Sequence, residues 1–334
     1  MQLQTDVKLR GEASFEIIKP DGTTKQYLNK ERTLKSGAII KNTLLDGFFT
    51  KIIPQAGVQS KCVIKIGTSS AATDTAQTTL TAPYTPLAGE LPSNNNPTIN
   101  STININEVLF TAEYEFLYGG DQLNGNFSEI GLDCFVAHYG NLVSLNNKDI
   151  DTRLLIKDDQ GNPTTITVLP GEQLKVNYTL SVAIPTDPVV QSMTYDKDGT
   201  PTNISIETIR TGEGDFFSTL ARFFASSSQT AAKEFYLTDQ DVGGTDIHPT
   251  ITQSAPQKIS GLYDVVFSST SNSRTLSVTV PPSKGNYNDG ILGFKPYAGY
   301  SSYGLLYKWR FTPAIPKTDQ QRLTFDIVTT FTRA

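Results

Sequence analysis

The stretch that decides the fold covers residues 153–182 and reads RLLIKDDQGNPTTITVLPGEQLKVNYTLSV. Three short apolar segments, at residues 153–157, 166–169 and 174–182, alternate here with turn sequences at 159–163 and 170–172. Glycine, proline, asparagine and aspartate favour turns, whereas β-branched and aromatic residues favour pleated strands. Short strands separated by frequent turns predict a β-sandwich.

The same pattern extends toward both ends of the chain. Alternating or continuous apolar segments predict further strands at residues 13–18, 62–67, 103–110, 113–117, 130–136, 193–195, 235–238, 291–294 and 322–328. Residues 82–100, which contain four prolines, are expected to form an exposed loop. The fold class that follows is mainly β.

Two segments have helical rather than alternating spacing. Near residues 36–53 apolar side chains recur every four residues, at Ile40, Leu44, Phe48 and Ile52. Near residues 215–225 the apolar residues Phe217, Leu220 and Phe224 are three and four positions apart, and Asp215 stands where a helix cap is expected. Both segments are predicted to be amphipathic helices.

The order of these features starts again after the sequence PTDP at residues 185–188. The turn DGT at 21–23 returns at 198–200, and the strand at 62–67 with its following loop returns at 235–238. A diverged tandem duplication with altered loops would produce this order, and so would chance similarity between two β-rich halves. Either way, the 334 residues predict two tandem β-sandwich domains, 1–185 and 186–334, each with one helix.

Composition excludes several classes of function. Charged residues make up 18% of the chain and its net charge is −5, with no basic block, so we expect no direct binding of nucleic acid. No apolar stretch reaches the roughly 18 residues that span a bilayer, so we expect no membrane insertion. The first residues lack the basic and apolar regions of a signal peptide.

Residues that could carry chemistry are few. The two histidines, His138 and His248, are not accompanied by a Gly-x-Ser-x-Gly elbow. Two distant cysteines, Cys62 and Cys134, are too few for a zinc site and are expected to be small buried side chains. We therefore predict a protein that is not an enzyme and has no cofactor.

Acidic and glycine-rich loops do not change this expectation. Asp239, Asp241 and Asp246 share a loop, but they lack the remaining oxygen ligands of a calcium-binding EF-hand loop. Phe217 stands where a phosphate-binding Gly-x-Gly-x-x-Gly motif needs its third glycine after Gly212 and Gly214. No metal site is predicted.

A cluster of aromatic residues near the C-terminal end is the best candidate for binding. Tyrosine and tryptophan are efficient interface anchors, and neighbouring glycines let a loop bend. The cluster can form a contact surface for another subunit or a platform for a sugar; alternatively, its side chains pack the rim of their own sandwich. Its members are Tyr287, Tyr297, Tyr300, Tyr303, Tyr307 and Trp309.

An ordered set of motifs resembles virion proteins of tailed bacteriophages, of the tail, baseplate and collar-appendage type. The motifs are LRGE at 9–12, DGT at 21–23, NTLL at 42–45, IGTSSAATDT at 66–75, FSEIGL at 127–132, LLIKDDQGNPTTI at 154–166 and FTPAIPKT at 311–318. Where the family has a glycine after the Gly-Thr pair, this chain has Ser69.

The resemblance implies a non-enzymatic structural protein that joins a fibre or spike to the particle. Its partners would be other virion proteins and copies of itself, arranged in rings or trimers. It would fold and assemble in the host bacterial cytoplasm and reside in the virion. The alternative is a receptor- or carbohydrate-binding module of a phage appendage, which would contact a host surface glycan through the aromatic cluster.

Overall fold

The computed structural model describes most of the chain in sixteen segments. These are residues 1–28, 41–48, 62–88, 92–94, 98–103, 107–133, 149–158, 161–185, 189–197, 199–210, 235–239, 241–242, 257–259, 265–269, 273–296 and 307–333.

Strands dominate the described residues, and the prediction of a mainly β, sandwich-type fold is confirmed. The strands are β1 (Gln2–Ile18), β2 (Thr24–Leu28), β3 (Lys41–Leu44), β4 (Cys62–Gly67), β5 (Ser93–Asn94), β6 (Thr98–Ile103), β7 (Glu107–Tyr118), β8 (Gly125–Phe127), β9 (Glu129–Asp133), β10 (Thr152–Leu155), β11 (Ile166–Val168), β12 (Gln173–Pro185), β13 (Val189–Lys197), β14 (Thr200–Arg210), β15 (Phe235–Thr238), β16 (Gln257–Ile259), β17 (Val265–Ser269), β18 (Ser273–Val280), β19 (Ile291–Pro296), β20 (Tyr307–Ile315) and β21 (Leu323–Arg333).

Each half of the chain contains two facing layers. In the first half, β1, β3, β10, β9, β4 and β5 pair in that order, while β12 pairs with both β1 and β7. The Tyr118 hydroxyl on β7 donates to the carbonyl of Ile64 on β4 at 3.1 Å in a buried position, so these layers pack face to face. In the second half, the rings of Phe294 on β19 and Phe325 on β21 stack at 4.6 Å.

The two halves share one strand order. In the second half the sheet runs β13, β14, β20, β19, β15, β16. Each series, β1-β3-β10-β9-β4-β5 and β13-β14-β20-β19-β15-β16, contains six strands. When the six strands of a series are numbered by their order in the chain, both series run first, second, sixth, fifth, third, fourth. Such agreement in a non-sequential order is not expected from two unrelated β-rich halves, so it supports the duplication interpretation.

The two halves also agree in strand register and in turn structure. Leu174 on β12 lies opposite Tyr118, and Leu323 on β21 lies opposite Val280. Just before these leucines, Leu169 N–H donates to Glu172 Oε2 at 2.8 Å, and Thr318 N–H donates to Gln321 Oε1 at 3.0 Å. The same turn is therefore built twice with a constant spacing from its strand.

The sheet also crosses the predicted boundary near residue 185. The N-terminal part of β1 pairs in parallel with β21 over eight residue pairs, from Gln2 opposite Asp326 to Leu9 opposite Arg333. One cluster of buried apolar side chains runs through both halves. The two predicted domains thus share a sheet and a core, and their separation into independent units stays a prediction.

The helix predicted near residues 36–53 is wrong over residues 41–44, which form β3. Asn42 pairs with Gly11 on β1, and Thr43 pairs with Arg153 on β10. Among the described residues of this segment, only 46–48 have helical geometry; residues 36–40 and 49–53 lie outside the described residues. Pairing with two neighbouring strands overrides a spacing that covers only a few turns of helix. The second predicted helix, near 215–225, also lies outside the described residues.

Most predicted strands are confirmed, with changes at their ends. The strand at 62–67 agrees with β4, and the turn at 20–23 closes by a bond from Gly22 N–H to Lys19 O at 2.9 Å. The strand predicted at 103–110 overlaps the end of β6 and the start of β7. Residues 98–100 of the predicted loop at 82–100 belong to β6.

Candidate functional site at two arginine-held loops

The aromatic cluster divides into described and undescribed members. Trp309 is 0% exposed, Tyr307 is buried with its hydroxyl donating to Asp6 O at 3.1 Å, and half-buried Tyr287 donates to Leu237 O at 2.7 Å. All three side chains pack or donate hydrogen bonds within the chain. Tyr297, Tyr300 and Tyr303 lie outside the described residues.

Other singled-out residues have structural partners or lie outside the described segments. Cys62 is a buried free thiol, as expected. Asp196 Oδ1 accepts Gly199 N–H at 2.8 Å in its turn, and Asp241 forms an ion pair with Arg310 at 3.1 Å. No group of three potential metal ligands occurs in the described part of the chain. Cys134, His138, Gly212, Gly214, Phe217, Asp246 and His248 fall outside it.

The most tightly built polar cluster is an ion pair between neighbouring strands. Arg153 on β10 lies opposite Gly131 on β9, and its Nε donates to Glu129 Oε2 at 2.7 Å. Both side chains are fully buried. All five residues of β9 are buried, so the carboxylate of Glu129 needs an opposite charge and hydrogen-bond donors nearby.

This ion pair holds the loop of residues 68–82, called here the first loop. Arg153 Nη1 donates to Ala71 O at 3.0 Å and to Thr73 Oγ1 at 3.1 Å. Glu129 accepts the N–H of Thr81 at 3.2 Å and that of Ala82 at 2.7 Å. The loop is therefore fixed in its middle by the arginine and at its end by the glutamate.

Glycine is needed where the first loop approaches the sheet. A Cβ at Gly67 would lie 2.6 Å from both Ala82 O and Glu129 Oε1, and one at Gly131 would lie 2.5 Å from Ile150 Cγ2. Leu80 of the first loop packs with Ile150 and Leu45 in a small apolar cluster over Gly131. Side chains at these two glycines would displace the loop.

A lysine forms a second buried link beside the first loop. Lys65 Nζ lies 3.5 Å from Asp133 Oδ2 and donates to Asp149 O. Burial lowers the pKa of Lys65, and the neighbouring carboxylate of Asp133 opposes that shift. The charged groups here are engaged with one another and with backbone carbonyls, which is a structural arrangement.

The second half repeats this design at the equivalent position. Arg310 on β20 lies opposite Gly293 on β19, as Arg153 lies opposite Gly131. Its Nε donates to Glu207 Oε2 at 2.7 Å, and this bond raises the pKa of Arg310 above its ordinary value.

The segment after β15, whose described residues are 239 and 241–242, is held in the same way as the first loop. Arg310 Nη1 donates to Asp241 Oδ2 at 3.1 Å, and Lys308 Nζ donates to Val242 O at 2.7 Å. Val242 packs against Gly293, so a Cβ at that glycine would overlap its side chain. Each half thus ties the segment after one strand to an arginine two strands away in the sheet.

No sequence motif identified Arg153, Glu129 or Arg310 as members of a site. Glu129 and Arg153 each lie in a segment that is otherwise apolar, and charges of opposite sign in two such segments were an available signal. Pairing Glu129 with Arg153 required knowing which strands are neighbours, because the two residues are 24 positions apart in the sequence.

No family model, curated protein or solved structure matches the chain. In the described residues, no helix has the length and apolar character needed to cross a membrane.

Proposed function

We propose that the chain is a non-enzymatic structural component of a tailed-phage virion. In this proposal it belongs to the tail, baseplate or neck collar and joins a fibre or spike to the particle through repeated subunit interfaces. Its partners are other virion proteins and copies of itself. It folds and assembles in the host bacterial cytoplasm.

The observation that carries the proposal is that two of the phage-like motifs meet at one buried ion pair. Gly67, Ala71 and Thr73 belong to the motif at 66–75, and Glu129 belongs to the motif at 127–132. Arg153 directly precedes the motif at 154–166, and it donates hydrogen bonds to Glu129 in the motif at 127–132 and to Ala71 in the motif at 66–75. Two of the motifs that support the resemblance, at 66–75 and 127–132, therefore act together with Arg153 to hold one loop against the sheet.

A loop held in this way suits a contact with another subunit. The first loop has fifteen residues, 68–82, and its described geometry is irregular apart from an isolated bridge at Thr79. Long irregular loops on rigid scaffolds commonly carry binding function. Because Arg153 and Glu129 already fix the loop, docking a partner onto its exposed residues, such as Ser70 and Ala72, costs little ordering entropy.

The test of the proposal is the composition of the particle. We expect quantitative mass spectrometry of purified virions of the phage encoding this chain to detect its peptides at a constant number of copies per particle. Absence of the chain from purified virions would overturn the proposal. Turnover of host envelope material by the purified chain would contradict its non-enzymatic part.

A pair of matched variants tests the first loop. Ser70→Glu adds a charge to the loop, and Ser283→Glu adds the same charge to an exposed turn after β18. We expect Ser70→Glu to be excluded from particles at unchanged thermal stability, while Ser283→Glu is incorporated like the wild type. Equal incorporation of both variants would show that the loop is not the contact surface.

The carbohydrate-binding alternative has a separate readout. Its described aromatic residues, Tyr287, Tyr307 and Trp309, are packed or hydrogen-bonded within the chain. Specific binding of the purified chain to host polysaccharide would favour the alternative over a purely structural role.

A further inference from the structure

Strand β13 ends the six-stranded sheet of the second half. β14 pairs along one of its edges, and no strand in the described segments pairs along the other, which is called here the β13 outer edge. An edge of this kind presents unpaired backbone N–H and C=O groups and is a template for another strand.

The direction of these groups follows from a proline. Pro201 lies opposite Asp196, and proline has no N–H to donate, so this position is a non-hydrogen-bonded pair of the antiparallel ladder. Hydrogen-bonded and non-hydrogen-bonded pairs alternate. The N–H groups of Val190, Ser192 and Thr194 therefore point away from β14 and toward the β13 outer edge.

The first half shows what an equivalent edge accepts. β1 occupies the position of β13 in its sheet, and its outer edge pairs antiparallel with β12 over eleven residue pairs. The equivalent of β12 in the second half is β21, which pairs with β1 instead. The internal partner that would cover the β13 outer edge is thus engaged elsewhere in the same chain.

The side chains also distinguish the two strands. On β1, Phe15 and Ile17 are buried, whereas Val190 on β13 is 64% exposed. Residues 189–194 contain no charge and no proline, the two features that usually protect a sheet edge from pairing. Because the segment is uncharged, pairing it with itself brings no like charges together.

We propose that the β13 outer edge, residues 189–194, pairs antiparallel with the same edge of a second copy of this chain. The contact is two-fold symmetric, so one surface serves both partners. It joins the sheets of two second halves into one continuous sheet and covers Val190. The inference rests on the proposed assembly function, for which it names one of the subunit interfaces.

Proline and alanine variants at one position test the interface. Ser192→Pro removes an N–H that points to the partner and leaves the bonds to β14 in place, while Ser192→Ala keeps the N–H. By sedimentation equilibrium we expect the wild type and Ser192→Ala to associate equally. Ser192→Pro should raise the dissociation constant at least about tenfold. A monomeric wild type, or a Ser192→Pro variant that associates normally, would overturn the inference.

Amide exchange of the wild type gives a test that does not depend on the folding of a variant. The N–H groups of Val190, Ser192 and Thr194 should become protected as protein concentration rises, whereas those of Gln191 and Met193 should be protected at every concentration. Unchanged exchange at the first three amides would also overturn the inference. Because this outcome leaves incorporation into virions unaffected, failure of the interface is distinguishable from failure of the proposed function.

Discussion

Arg153 in the first half and Arg310 in the second half occupy equivalent positions, yet their surroundings differ. Each lies opposite a glycine of the neighbouring strand. Arg153 is fully buried and pairs with Glu129 on β9, whereas the side chain of Arg310 is 26% exposed and pairs with Glu207 on β14. Both halves have an arginine at this position, but its carboxylate partner comes from a different neighbouring strand. In the first half the partner lies on the strand that also carries the opposing glycine, β9; in the second half it lies on the other neighbour, β14.

This difference allows the geometry of an ion pair to be distinguished from its contribution to the free energy of unfolding. Both pairs tie a post-strand segment to the sheet, but only the Arg153 pair has lost all contact with water. Removing one partner of a buried pair leaves an uncompensated charge, whereas water compensates much of the loss at an exposed pair. Burial rather than hydrogen-bond geometry should therefore decide which half is more sensitive to substitution.

The largest expected effect comes from neutralising the buried carboxylate. Glu129→Gln should lower the free energy of unfolding by about 3–5 kcal/mol, because Arg153 is left buried without a counter-charge. Chemical denaturation followed by circular dichroism measures the loss. The matched control is Glu207→Gln, for which we expect about 1 kcal/mol or less, since water reaches that pair. Equal losses in the two variants would show that burial does not distinguish the halves.

A smaller effect is expected from filling the space under the first loop. Gly131→Ala should cost about 1–3 kcal/mol of unfolding free energy, because its Cβ would lie 2.5 Å from Ile150 Cγ2. Gly47→Ala is the control, since a Cβ there meets nothing within 4 Å. Ile150→Ala should cost less in the Gly131→Ala background than in the wild type, and strictly additive losses would contradict the contact.

The smallest effect depends on pH and concerns Tyr118, whose equivalent in the second half is Val280. Burial raises the pKa of Tyr118 above its ordinary value of 10.0. The folded state therefore holds this proton at a pH where the unfolded state has released it. The contribution of Tyr118 to stability is complete below pH 10 and is lost as the pH rises above it, by at most about 1.4 kcal/mol per pH unit.

Replacing the hydroxyl tests this sign. Tyr118→Phe should cost about 1 kcal/mol near neutral pH through loss of the bond to Ile64 O. Above pH 10 its unfolding free energy should fall less steeply than that of the wild type. The lowered pKa of Lys65 acts in the opposite direction but is common to both proteins, so their difference isolates Tyr118. Parallel pH profiles in chemical denaturation would contradict the assignment.

The features of the fold that could be predicted from the sequence are those set by residues close together in the chain. Gly22 and Gly199 have φ angles of 80° and 81°, values that favour glycine, and both lie in the turns predicted from Asp-Gly-Thr. Strand β4 was predicted from the short apolar segment at 62–67, and the structure buries all six of its residues. The recurrence of similar turns and strands in the second half was visible for the same reason, and it was compatible with a duplication or with chance similarity of two β-rich halves.

The candidate site was accessible only in part. The motifs containing Gly67 and Glu129 were recognised, but their connection through Arg153 was not. Aromatic residues near the C-terminal end were candidates for contacts or for packing within their own sandwich, and Trp309 lies in the core. An interface anchor and a core residue have the same composition, and burial, which distinguishes them, depends on strands distant in sequence.

The sequence by itself determined the mainly β class and the positions of the turns, because these follow from residue types that act over a few positions. Only the tertiary structure decided that residues 41–44 form a strand, that β1 pairs with β21 across the two halves, and that Glu129 neutralises Arg153. Each of these depends on which distant segments become neighbours. That choice is made by the burial of a shared core and the pairing of backbone groups rather than by any local pattern.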